Sequence, residues 1–144
     1  MSENENLDIR ILLVDDEEDL VDFLAQRLLK RGFTVTAKTS GEAALEAIAT
    51  STFDVAVVDL KMPDMDGIQV LKKMRETRPF LRTIMLTGHG SHDSALEAGR
   101  LDTVRYAIKP CEFEDLLVMI REAHQQKIED QRKAYLEAVD RETQ

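Results

Sequence analysis

A chain of 144 residues carrying 19 basic and 28 acidic side chains, net charge −9, has room for one domain of ordinary size and not for two. A hydrophobic share of 43% excludes wholesale disorder, and a pI near 4.8 argues against direct recognition of nucleic acid. Cys111 is the single cysteine, which excludes an internal disulfide and a two-cysteine zinc or redox motif; no apolar run has the length of a membrane span.

Residues 1–7 are polar, lack the apolar stretch of a signal peptide and are expected to be a flexible N-terminus of a cytoplasmic protein. Ile9 to Val14 is a short apolar run broken only by Arg10, and it ends in Asp15, Asp16, Glu17, Glu18 and Asp19. This predicts a strand running into a helix with Leu20, Phe23, Leu24, Leu28 and Leu29 at helical spacing, stopped at Gly32. Phe33 to Ala37 alternates and reads as a second strand; Ser40 then caps a second helix, with Ala44, Leu45 and Ile48 on its inner face. Val55 to Val58 is wholly apolar, reads as a buried strand and ends at Asp59. Gly67 opens a third helix with Ile68, Leu71 and Met74, which Pro79 closes. Thr83 to Leu86 is a fourth strand, followed by Thr87 and Gly88; a weaker helical pattern covers Ser91 to Leu101. Val104 to Ile108 is the fifth strand, followed by Lys109 and Pro110. From Glu112 to Asp140 there is no Gly or Pro, which predicts one long helix with Phe113, Leu116, Leu117 and Ile120 facing inward. Beyond them Ile128, Tyr135, Leu136 and Val139 form a sparse stripe, too short for sustained heptads, that suits an interacting helix or a linker.

Strand and helix alternate five times, which implies an α/β fold with a parallel sheet and right-handed crossovers. In such folds ligands sit beyond the carboxyl ends of the strands. The residues there are Asp15, Asp16, Asp59, Thr87 and Lys109. Each has a plain structural explanation alone: acids complement a helix start, and a lone Asp, a Thr-Gly or a Lys-Pro suits a turn. Together they converge on one rim. Clustered carboxylates repel and ask for a cation, and an all-oxygen set suits Mg²⁺. A carboxylate beside such an ion can attack phosphorus and form an aspartyl phosphate, whose oxygens then need positive charge and donors.

These residues resemble the receiver domain of two-component response regulators. The resemblance rests on LLVDDE at 12–17, VVDLKMPDMDG at 57–67, MLTG at 85–88 and YAIKP at 106–110, and covers roughly residues 8–125. It implies a doubly wound, flavodoxin-like five-stranded sheet of order 2-1-3-4-5 with helices on both faces. It also implies Asp59 as phosphoacceptor, Asp16 as a direct Mg²⁺ ligand, Asp15 as an organiser of the ion's water shell and the Lys61 backbone carbonyl as a further ligand. Thr87 and Lys109 would hold the phosphoryl group, and Tyr106 would turn inward as Thr87 moves. The Lys109–Pro110 bond is expected to be cis, Gly88 to leave room for a phosphodonor, and Lys61 and His89 to flank the site where dephosphorylation is tuned. Asp102 and Thr103 depart from the Gly-Ala that members often carry before the fifth strand.

The implied partners are a sensor histidine kinase or phosphotransfer protein as donor, and a downstream target protein or output domain as recipient. A homodimer through the fourth predicted helix, fifth strand and last helix, or through the C-terminal helix, is a further expectation. Residues 126–144 would be a helical extension or linker, too short for an output domain, so the chain either signals by docking or is one piece of a longer regulator. Three other readings stand beside this one. A phosphatase or phosphotransferase with an Asp nucleophile would want a second Asp two residues on, where Lys61 stands. A flavodoxin-like carrier would want a Ser/Thr/Gly-rich loop where Asp15 to Asp19 lie. The third keeps the fold as an unphosphorylated interaction module. Met62, Met65, Met74 and Met85 read as core or loop filling, Cys111 as a half-buried small residue, and His92 and His124 as solvated.

Overall fold

The computed structural model describes residues 9–59, 67–87, 104–108 and 111–143. Within them the chain forms β1 (Arg10–Val14), α1 (Glu18–Lys30), β2 (Thr34–Lys38), α2 (Gly41–Thr50), β3 (Val55–Asp59), α3 (Gly67–Thr77), β4 (Arg82–Thr87), β5 (Val104–Ile108) and α4 (Phe113–Thr143). The strands make one parallel sheet of order β2-β1-β3-β4-β5. Residues 1–7, the helix expected over 91–101, Asp102, Thr103, His92, Met62 and Met65 lie outside the described residues.

The strand period of two sorts the sheet's side chains into two cores. Leu12, Val14, Ala56, Val58 and Met85 pack on one face with Ala44 and Ile48 of α2 and Val70, Leu71 and Met74 of α3. Ile11, Leu13, Val55, Val57, Ile84 and Ala107 pack on the other with Leu28 of α1 and Leu116, Leu117 and Ile120 of α4. All five residues of β3 are buried, because it lies mid-sheet with helices on both faces.

Local chemistry sets the helix ends. The Ser40 hydroxyl accepts from the Ala43 N–H at 3.1 Å and caps α2. At the end of α1, Gly32 adopts φ 96°, a left-handed value that favours glycine. Its N–H donates to the Leu29 carbonyl, the Phe33 N–H donates to that of Leu28, and buried Phe33 and Leu28 share one core. This closure aims the chain straight into β2.

The helix read from residues 20–29 is present, and the structure sorts its apolar residues by face. In α1 the inward positions are Val21, Leu24, Ala25 and Leu28, spaced i, i+3, i+4, i+7. Leu20, Phe23 and Leu29 stand instead 41%, 60% and 53% exposed, on neighbouring stripes of the same helix. Leu28 is fully buried, so Leu28→Ala is expected to cost about 2–5 kcal/mol. A urea titration should show the lower midpoint with an unchanged slope.

Candidate functional site

The register of the two central strands builds the site. Val14 pairs with Val58, and one step further along each strand stand Asp15 and Asp59. The crossovers that follow β1 and β3 diverge, so a crevice opens there at the carboxyl edge of the sheet. Asp15, Asp16 and Asp59 each bring one carboxylate oxygen to within 4.8 Å of the others. Asp15 and Asp59 are buried and Asp16 is exposed, so the cluster has a closed floor and an open side.

Asp15 is fixed from two directions. Its N–H donates to the Lys38 carbonyl of β2 at 3.2 Å, and its Oδ1 accepts from the Glu17 N–H at 3.0 Å. The second bond satisfies a donor at the start of α1, where the Glu17 side chain makes no capping bond. Asp15 therefore has a structural role beside any chemical one. Glu18 and Asp19 complement the dipole of α1, as their place in the first turn implied.

The remaining expected residues are placed unevenly. Asp59 pairs with Leu86, so Thr87, the last residue of β4, follows directly on the neighbouring strand. Thr87 in turn pairs with Ile108, which ends β5 one residue before Lys109. Tyr106 sits in the middle of β5, paired with Met85. Lys61, Gly88, His89, Lys109 and Pro110 lie outside the described residues.

The donor set fits a hard cation. It is all oxygen and anionic, and it joins buried carboxylates to an open face where waters can complete a shell. Met74 and Met85 are buried in the core, away from any such role.

Beside the acids lies an apolar cleft between α1 and α4, lined among others by Leu20, Phe23, Leu24, Phe113 and Leu116, with Asp15 also in its wall. The Arg27 guanidinium lies 3.9 Å from the Phe113 ring centre and 5.7 Å from that of Phe23, fastening α1 to the start of α4. Arg31 adds an ion pair to Glu114. Cys111 also lines this cleft; burial first, then Asp115 and Glu112, pushes its thiol up. A protonated thiol is a poor nucleophile, in keeping with a filling role. The exposure of Phe23 was not foreseen. Its signal was the i, i+3, i+4, i+7 set starting at Val21, which leaves Phe23 off the inner stripe.

A doubly wound sheet with an acidic, oxygen-only cluster at its switch point defines an α/β protein whose crevice fits a hard cation. The family model described as "Response regulator receiver domain" matches residues 11–121, and the chain belongs to that family. Among curated relatives, regulatory protein AtoC of Escherichia coli is 34% identical over 116 residues, which are 81% of this chain and 25% of AtoC. Response regulator protein FleR of Pseudomonas aeruginosa is 37% identical over 77% of this chain and 24% of FleR. The chain thus spans about a quarter of the curated relatives it matches. Among solved structures, a CheY-like receiver domain from Methanospirillum hungatei superimposes with a TM-score of 0.78 at 32% identity, over 85% of this chain and 98% of that one. An adenylate cyclase chain from Rhodopirellula baltica gives a TM-score of 0.83 at 38% identity, over 91% of this chain and 96% of that one. The protein is therefore a signalling receiver domain of the two-component type. No helix among the described residues is long and apolar enough to cross a membrane.

Proposed function

We propose that Asp59 is the phosphoacceptor and that its phosphorylation switches a protein-interaction face. The carrying observation is the meeting of Asp15, Asp16 and Asp59 at the crevice between β1 and β3. An Asp59 carboxylate oxygen attacks the donor's phosphorus; the new O–P bond forms as the donor's bond to phosphorus breaks, and the electron pair leaves with the donor. Asp16, Asp59 and the Lys61 carbonyl would hold Mg²⁺, with Asp15 orienting its waters. When bound, that ion supplies positive charge to the phosphoryl oxygens. Thr87 and Lys109 would donate to those oxygens, and Tyr106 would follow Thr87 in the switched state. The position two residues beyond Asp59 is Lys61, so an acid for repeated phosphoester turnover is not evident there.

The receiver would span residues 8–125 and the helical extension residues 126–144. The family match ends at 121 and the buried stripe of α4 ends at Ala123, which supports that boundary. The downstream recipient would be a target protein or an output domain, and the cytoplasmic setting belongs to the same proposal. A homodimer would form through the predicted fourth helix, β5 and α4, where it would have to accommodate the Arg105–Glu122 ion pair, or through the C-terminal part of α4.

The phosphodonor would be a sensor histidine kinase or phosphotransfer protein. Such a donor must bring its phosphoryl group to Asp59, so it must cover surface beside the acids. Leu20 and Phe23 offer exposed apolar surface there, rimming the cleft beside Asp15. Phe23→Ala should therefore slow transfer from a cognate kinase by about tenfold or more, as for loss of an aromatic anchor, and leave acetyl phosphate labelling unchanged. Parallel time courses with the two donors check this; equal slowing of both would refute the docking role.

The core reading is tested by incubating the chain with acetyl phosphate and Mg²⁺. A hydroxylamine-labile phosphoryl adduct that chelator prevents is the expected result. No adduct with either a small donor or a cognate kinase would overturn it.

A further inference from the structure

The acid-bearing edge of the sheet has an opposite edge, and α4 crosses it. The buried stripe of α4 ends at Ala123, and from Gln131 to Glu142 every residue is exposed or half-exposed. Between these segments two ion pairs reach back to the sheet. Lys127 Nζ donates to Asp54 Oδ1 at 2.7 Å, with both side chains only 15–16% exposed, and to the Phe53 carbonyl at 3.4 Å. Asp130 Oδ2 accepts from Arg82 Nη1 at 3.3 Å, while its Oδ1 accepts from Gln126 Nε2 at 2.9 Å.

The receiving end of the first pair is built in. Asp54 Oδ2 accepts from the Arg10 N–H at 2.8 Å, the Asp54 N–H donates to the Arg10 carbonyl at 2.8 Å, and the Arg82 N–H donates to the Asp54 carbonyl at 3.3 Å. Asp54 therefore joins the amino-terminal ends of β1, β3 and β4. Its carboxylate is held by the sheet whether or not Lys127 is present. Arg82 is the first residue of β4. Lys127 and Asp130 are three apart on α4 and so share a helix face.

We infer that Lys127–Asp54 and Asp130–Arg82 form a clamp that fixes the direction in which α4 leaves the domain, so that residues 131–143 project as an aimed arm. Apolar packing cannot set that direction, because it stops one turn earlier at Ala123. Residues 131–143 continue a helix already nucleated by its packed first half, and holding the turn at their base opposes fraying of this unpacked end. The half-buried setting screens the pairs less than an open surface would. The clamp does not require phosphorylation of Asp59. That residue lies at the other end of β3, about 17 Å away at the usual strand rise.

The test uses the full chain with Lys127→Met and Arg82→Met together, which removes both cations and keeps much of the aliphatic cover. Amide hydrogen exchange over residues 126–135 should rise about tenfold, with β1 and β3 unchanged. Spin labels at Glu46→Cys and Glu137→Cys in a Cys111→Ser background report direction. They should give one narrow distance distribution that the double change broadens. Unchanged exchange, equal acceleration across β1 and β3, or a distribution that stays narrow would each overturn the clamp. Asp59→Asn should leave both readouts as in wild type, which separates failure of the clamp from failure of the phosphoacceptor assignment.

Discussion

Replacing Asp59 by Asn should reduce phosphoryl incorporation from acetyl phosphate by about a thousandfold or more, as for loss of a nucleophile. The amide keeps the size of the carboxylate but lacks its negative oxygen. Asp15 and Asp16 remain nearby and do not substitute. Asp15 already spends an oxygen on the Glu17 N–H, and Asp16 sits on the exposed side of the cluster. Fold damage is not expected to explain the loss, because Asp59 is the last residue of its strand and β3 keeps its four buried valine and alanine residues. The check is a time course of labelling with a urea titration of the same preparation. Retained labelling in a folded Asp59→Asn protein would move the acceptor elsewhere.

The second large effect concerns the cation. Asp16→Ala should weaken Mg²⁺ binding on the order of a hundredfold, since the proposed ion has few carboxylate ligands. Labelling should fall with it and recover partly at high Mg²⁺. Stability should change little, because Asp16 is exposed. Asp15→Ala is the informative contrast. It removes a cluster oxygen and also the bond to the Glu17 N–H that starts α1, so both cation affinity and stability should fall. Calorimetric titration with Mg²⁺, beside thermal melts in chelator, separates the two. Equal Mg²⁺ affinity in wild type and Asp16→Ala would remove Asp16 from the site.

Much of this was legible in the sequence, for physical reasons. A strand buried on both faces must be apolar throughout, so Val55 to Val58 announced itself, and Ser40 and Gly32 marked ends that only such residues make well. The meeting of Asp15 with Asp59 was harder. It depends on the register of β1 against β3, residues 44 positions apart in the Arg10–Asp54 bond beneath them. Spacing along the chain does not specify that register; the strand order came from the resemblance. The exposure of Leu20 and Phe23 was hidden because α1 carries more apolar residues than its inner stripe needs. The clamp went unread because Asp54, Arg82, Lys127 and Asp130 look like ordinary solvated charges until the fold brings them together. A faint signal existed: Asp54 stands directly before a buried strand, Arg82 opens another, and Lys127 and Asp130 share a helix face.

In the proposed reaction one particular carboxylate, that of Asp59, carries the phosphoryl group. The most direct measurement is mass-spectrometric mapping of the adduct on wild-type protein after brief exposure to acetyl phosphate and Mg²⁺, with borohydride reduction to mark the acyl phosphate. A single modified residue is expected, Asp59, lost when hydroxylamine precedes reduction. Reduction at Asp15 or Asp16, or a phosphate on Ser, Thr or His that borohydride leaves unreduced, would contradict it.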